Sequence, residues 1–447
     1  MSVETASPAL DYTLVQSLRT KTAERLRAER RRRADAGQPA LAPDDEREFG
    51  RSLIAAAVDE HRRRELLDGA GLLPTAQADA NLAAAIEAAL FGLGRLEPLM
   101  ADPTVANIEI NGYDRVWLYR TDGTVQAGPP VADSDAELVE WVRTAAIYAG
   151  LSSRPFDPAN PWLELRLPDG SRLCALMSVV ARPVVSVRLF RLQRVMLDDL
   201  HALGGFNEQL HAFLAAAVRA RCNVMVSGET FAGKTTLLRA LGNAVPFEER
   251  LVTAEHFLEL GFEHFPELHR DVVAMEERLA NAEGTGGLTL LELVERSRRM
   301  NPDRIIVGEV RGGGEIVAML DAMTQGEDGS LSTIHARDSR TVFHRIATYA
   351  ITGRHRLPVE ASGMLTSAAL DLVVHMTKVR SDDGRVHRFV SSVREVVGWD
   401  GTQVVSSEVF ATRPGELVAR PAAPLTEQRA ERLAVHGYDA RDWAVSR

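Results

Sequence analysis

The chain has 447 residues, with 52 Lys and Arg against 62 Asp and Glu, for a net charge of −10. That length can bury the cores of two or three domains, and the acidic balance repels a polyanion, which disfavours extended nucleic-acid binding. Cys174 and Cys222 lie far apart in apolar stretches, as buried thiols in a reducing compartment do, and not as a disulfide or metal framework.

The start, MSVETASPALDY, lacks the charged-then-apolar order of a signal peptide, and 212–225 is too short and too interrupted by arginine to span a bilayer. The expectation is a cytoplasmic protein that reaches a membrane only through partners. Val15 to Arg33 is dense in Arg, Glu, Ala and Leu and reads as a helix with a basic end, either a solvated charged helix or a contact for an acidic surface. A turn-rich stretch, 34–44, leads to 46–89, where apolar residues recur at helical spacing. Residues 1–88 are therefore expected to form a small helical module.

After Phe91-Gly92-Leu93-Gly94 the texture changes to short alternating runs, Ile108-Glu109-Ile110 and Val116-Trp117-Leu118-Tyr119, with turns at Asn111-Gly112 and Asp122-Gly123. An amphipathic stretch at 136–149 interrupts them, and strand-like runs follow at 163–167, 173–180 and 184–190. Residues 89–192 thus read as an α+β domain. Within it, Arg166-Leu-Pro-Asp-Gly-Ser-Arg172 reads as a hairpin turning at Asp169-Gly170 and projecting two guanidinium groups. A linker is expected at 193–206, with the glycine pair in His201 to Phe206 as a hinge, and an α/β domain with a C-terminal extension at 207–447.

That last domain carries the most informative motif. Ser227 to Thr236 reads SGETFAGKTT, which fits G-x-x-x-x-G-K-T through Gly228, Gly233, Lys234 and Thr235, after the apolar run Val224-Met225-Val226 and before the helix formers Leu237-Leu238-Arg239-Ala240-Leu241. A strand-to-helix turn of this kind cradles phosphates with its backbone N–H groups. The candidate nucleotide-binding set is Gly228, Glu229, Thr230, Phe231, Ala232, Gly233, Lys234, Thr235 and Thr236. Lys234 would reach the β- and γ-phosphates of ATP, and the Thr235 hydroxyl would ligate magnesium (Mg2+). The run RIIVGEVR ends a buried strand on Glu309, placed as base or water-orienting group near magnesium; LVTAE ends on Glu255, assigned to magnesium-bound water; STIHA ends on His335, placed to sense the γ-phosphate.

In order, these segments resemble the secretion ATPase superfamily of type II and type IV systems, and within it the CpaF-like ATPases of Tad (Flp) pilus assembly. The likeness runs from about Phe91 to Thr412 and includes FGLGRLEPLMADPTVANIEINGYDRVW, RLPDGSR, the phosphate loop, VTAEHFLEL, the tract from Glu283 to Gly313, and QGEDGSLSTIHA. It implies a RecA-like motor domain behind a PAS-like α+β domain, a homohexameric ring, and ATP held between each motor domain and its own N-terminal domain. It places Arg166 and Arg172 on arginines that reach the γ-phosphate, Arg188 on a recurrent basic position, Glu309 on the catalytic base and Glu255 on the acidic-box glutamate. Partners implied are inner-membrane platform proteins. Phe231, His256 and Glu327 depart from the family pattern at a loop glycine, an acid and a histidine, and the paired-cysteine zinc module of some type II members has no counterpart here. A nucleotide-dependent scaffold with little turnover and a nucleic-acid translocase are the alternative readings.

Overall fold

The computed structural model describes residues 11–67, 75–148, 155–191, 194–278, 280, 284–381 and 385–443. The N-terminal start, the end of the amphipathic stretch at Ala149, the first linker residues and Glu283 lie outside them. The chain divides into two compact units, one up to Arg191 and one from Leu192.

In the first unit, α1 (Tyr12–Asp35), α2 (Pro43–Leu67) and α3 (Ala76–Phe91) pack around Val15, Leu18, Ile54, Ile86 and Phe91. Asp11 caps α1 by accepting the Thr13 and Leu14 N–H groups, and Thr75 caps α3. These helices share one unit with the α+β segment: Gln16 donates to Glu137 at 2.7 Å, and the Arg95 guanidinium lies over the Tyr12 ring. A short helix α4 (Glu97–Ala101) precedes β1 (Val105–Asn111), β2 (Val116–Arg120) and β3 (Val125–Gly128). Helix α5 (Asp135–Tyr148) and strands β4 (Trp162–Arg166), β5 (Arg172–Leu176) and β6 (Val184–Arg188) follow. The strands form an antiparallel sheet ordered β3-β2-β1-β6-β5-β4. One sheet face, with Ile108, Leu165, Leu173 and Val187, is buried with Leu138 and Val142 of α5, as the period of two along a strand requires.

The second unit opens with α6 (Leu197–Ala202) and α7 (Glu208–Arg219). The expected linker is therefore part of this unit. Leu197 and Phe206 are buried in its core, Asn243 donates to the Val195 carbonyl at 2.9 Å, and the Val390 N–H donates to the Gly205 carbonyl at 2.8 Å. The division between the units falls ahead of the glycine pair.

Then come β7 (Val224–Gly228), α8 (Lys234–Asn243), β8 (Arg250–Glu255), β9 (Asp271–Glu276), α9 (Leu290–Ser297), β10 (Arg304–Val310), α10 (Gly313–Thr324) and β11 (Leu331–His335). Next are α11 (Thr341–Thr352), α12 (Val359–Ala369), β12 (Leu372–Arg380), β13 (Val386–Trp399), β14 (Val404–Thr412), β15 (Ala419–Pro421) and α13 (Glu427–Val435). The described strands make a nine-stranded sheet ordered β15-β14-β13-β12-β7-β11-β10-β8-β9. From β12 to β9 the neighbours are parallel, while β13 to β15 add an antiparallel edge. Successive residues alternate between two cores: Val224 and Val226 face α7 and α8, Met225 faces the side of α9 to α12. Burial on both faces explains the continuous apolar runs of β7, β8 and β10. With the phosphate loop after central β7, this is the α/β, RecA-like architecture expected.

Arg304, at the start of β10, is fully buried and pairs bidentately with Glu249 at 2.7 and 2.9 Å while donating to the Val218 carbonyl. Removing its partner strands a buried charge. Glu249→Ala is expected to lower stability by about 3–5 kcal/mol in urea unfolding; a loss within about 0.5 kcal/mol would show the guanidinium finds water instead.

Candidate functional site

Parallel pairing sets the carboxyl ends of the central strands side by side. His335 pairs with Gly228, Ile334 with Val310, and Val307 with Ala254, so the phosphate loop, His335, Glu309 and Glu255 follow one another along a single sheet end. Ligand sites of open α/β sheets form at such an end.

The loop bends where its glycines allow. A Cβ on Gly228 would lie 2.5 Å from the Met376 carbonyl oxygen, and Gly233 takes φ +97°, the left-handed turn from which α8 starts at Lys234. Phe231, more than half exposed, takes φ +63° where other residues of its type avoid positive values. Two cations hold that tip: Lys378 of β12 donates to the Thr230 carbonyl at 2.6 Å and Arg388 of β13 to the Phe231 carbonyl at 3.0 Å. Ser227, just ahead of the loop, bonds His375 of β12 at 2.9 Å.

Lys234, though at the helix start, is largely buried, and its Nζ donates to the Glu229 carbonyl at 3.0 Å and meets His335 Nδ1 at 3.1 Å. His335 Nε2 lies 2.8 Å from Glu309 Oε1, and Arg311 holds the other carboxylate oxygen at 2.7 and 2.8 Å. Burial and the Lys234 charge both hold His335 below its ordinary pKa. A neutral imidazole then accepts at Nδ1 from the lysine and donates at Nε2 to the glutamate. Burial opposes the charge on Glu309, but Arg311, His335 and Lys234 outweigh it and keep the carboxyl below its usual range. Lysine, histidine, glutamate and Arg311 thus form one continuous polar chain across three strand ends. Thr235 and Thr236 follow Lys234 in the first turn of α8, Thr235 half-buried and Thr236 exposed.

Glu255, assigned from the sequence to magnesium-bound water, is enclosed by its own loop. Its side chain is 2% exposed; Oε2 accepts the Glu259 and Leu260 N–H groups at 2.8 and 2.9 Å, and Thr253 reaches Oε1 at 3.3 Å. Burial pushes its pKa up to about 8. A neutral acid seated there braces its own loop's backbone.

The departing residues also find places. His256 pairs with Glu277, with Glu315 3.9 Å from its other nitrogen, while Glu315 itself accepts the Arg311 and Gly312 N–H groups. Glu327 lies 3.8 Å from Arg298. In the first unit, Arg166 pairs directly with Arg172, and Arg172 with Arg188, so the guanidinium-bearing residues form one row across β4, β5 and β6 on the outward face. Gly170, at φ +86°, closes the hairpin as read. Lys378, Arg388, His375 and Arg311 were missed. The only local signal was Arg311 beside Glu309; the others reach the loop through tertiary pairing.

Among the described residues, no cluster of His, Cys, Asp and Glu is poised to hold a metal ion, and no helix is long and apolar enough to cross a membrane.

The family described as type II/IV secretion system protein matches residues 91–413. The chain is 32% identical over 341 residues to a putative conjugal transfer protein of Mycobacterium tuberculosis, covering 73% of this chain and 93% of that one. It is 27% identical over 317 residues to the type IV secretion system protein VirB11 of Brucella suis, covering 64% and 84%. Among solved structures it is similar to the Brucella suis VirB11 ATPase in complex with sulphate, at 26% identity and TM-score 0.36, covering 67% and 92% of the two chains. It is also similar to the pilus retraction motor PilT with bound ADP, at 14% identity and TM-score 0.48, covering 78% and 88%.

Between its ordinary value of 4.5 and about 8, the folded protein holds a proton on Glu255 that the unfolded chain has lost. Its contribution is complete below the ordinary value and declines as pH rises through the folded one. Glu255→Gln, neutral throughout, is expected to flatten the fall in melting temperature across that window; a slope like the wild type's contradicts the neutral-acid assignment.

Proposed function

This chain belongs to the type II/IV secretion system ATPase family, and we propose that it is the ATP-driven motor of a Tad/Flp-type pilus or a related secretion machine. In this reading it works as a homohexameric ring on the cytoplasmic side of an inner membrane, engaging platform proteins there. The observation that carries the reading is the polar chain from Lys234 through His335 to Glu309 at the mouth of the phosphate loop.

The donor set fits ATP. Backbone N–H groups from Glu229 to Thr236, the positive end of α8 and the Lys234 ammonium all suit a triphosphate. The Thr235 hydroxyl and the Glu309 carboxylate are the groups that would hold magnesium, which would neutralise phosphate charge when bound. The γ-phosphate draws the Lys234 ammonium from the Glu229 carbonyl and His335 Nδ1 onto its own oxygens. Glu309, kept ionised by Arg311, orients water and takes its proton as the water oxygen bonds phosphorus and the bond to the ADP oxygen breaks. Arg166 and Arg172 supply guanidinium groups to the charge spreading over the γ-oxygens.

A nucleotide-dependent scaffold with little turnover is the second reading. It is favoured by the engagement of both Glu309 oxygens, by Arg311 and His335.

Phosphate release by the purified chain separates the two. Glu309→Gln is expected to lower kcat by about 10²–10⁴ with ATP affinity retained, Lys234→Ala to abolish turnover, and Arg172→Ala to lower kcat more than it raises KM. Equal rates in wild type and all variants would dismiss the motor; tight ATP binding without hydrolysis, even with a platform protein added, would support the scaffold.

A further inference from the structure

Beside the phosphate loop the second unit contains a cavity of about 590 Å3 whose walls include Gly228, Glu229 and Thr230 but not Lys234 or Thr235. Its wall thus includes Glu229 and His335, two residues that Lys234 Nζ touches. His335 stands in its wall, which puts it on the side where the γ-phosphate is cleaved. Opposite lie Arg337, just past β11, and one face of α11, from which Thr341, Arg345 and Thr348 line the cavity at helical spacing. Lys378 adds a third cation. Against these charges stands the single carboxylate of Glu229.

We propose that this cavity is the exit site for orthophosphate, holding the cleaved anion between the phosphate loop and α11 before release. The inference rests on the ATPase reading above and deepens it. The chemistry of the wall selects the ligand class: guanidinium forks, an ammonium and hydroxyl donors match a tetrahedral oxyanion. Arg345 has its guanidinium over the Tyr349 ring at 4.9 Å, a stacking that orients the planar donors. The volume greatly exceeds one phosphate, so the anion keeps much of its hydration shell and is held loosely enough to leave. Lys378 also donates to the Thr230 carbonyl, so one residue touches both the exit wall and the loop that holds ATP.

The test is equilibrium dialysis of radiolabelled inorganic phosphate against the full chain saturated with magnesium and ADP, which fills the nucleotide cradle. The wild type is expected to bind phosphate in the millimolar range. Arg345→Ala and Arg337→Ala are each expected to weaken that binding at least about fivefold, Arg345→Lys to recover part of it, and ADP affinity to stay within about twofold in all of them. Melting curves identify any variant that fails to fold, and Arg345→Lys then stands in for Arg345→Ala. No phosphate binding by the wild type, or binding unchanged in both alanine variants, overturns the proposal. Because dialysis needs no turnover, its result is separate from the hydrolysis assay: a chain that hydrolyses ATP but binds phosphate equally in every variant loses only the exit site. A chain that binds phosphate as described but never hydrolyses ATP loses the motor reading.

Discussion

Everything at this sheet end depends on how the charge of Lys234 is held. The ammonium lies largely buried, where an unpaired charge is costly, and it is satisfied by a loop carbonyl and by a histidine that must be neutral to accept. That requirement fixes the imidazole tautomer, which directs the other ring N–H to Glu309 and leaves the second carboxylate oxygen to Arg311. A phosphate offers the lysine a stronger partner than either carbonyl or imidazole. In the function proposed above, nucleotide binding would thereby be coupled through these adjacent side chains to the carboxylate proposed to position the attacking water.

The parallel sheet makes the arrangement possible. Its strands β7, β11 and β10 are buried on both faces, so their ends are fixed by two cores, and their register sets Gly228 beside His335 and Ile334 beside Val310. The antiparallel edge adds a second function. Lys378 and Arg388, from β12 and β13, hold the carbonyls of Thr230 and Phe231, so the loop tip is tied to the sheet on the side away from Glu309. Phe231 at a positive φ costs on the order of 1 kcal/mol or more, and these two bonds help to hold the backbone there.

Much of this was legible in the chain because it is written locally. The phosphate loop, the hairpin between Arg166 and Arg172 and the strand ending on Glu309 each occupy a few consecutive residues whose spacing carries the geometry. What was not legible depends on pairing between distant segments. Lys378 and Arg388 meet the loop across separations of 148 and 157 residues, and in sequence they read as ordinary basic residues of a strand. Arg188 joins the arginine row only because β6 pairs with β5 in that register. The surroundings of Glu255 were not legible for a related reason: an acid at a strand end is usually solvated, but here the following chain folds back and offers its own N–H groups to the carboxylate. Nor was it legible that Leu197 and Phe206, within the stretch read as a linker, are buried in the second unit's core.

The most direct test is a crystal structure of the chain with magnesium and a non-hydrolysable ATP analogue. The account predicts Lys234 Nζ moved from His335 Nδ1 onto a phosphate oxygen. A bound analogue with Lys234 still on His335 would contradict it.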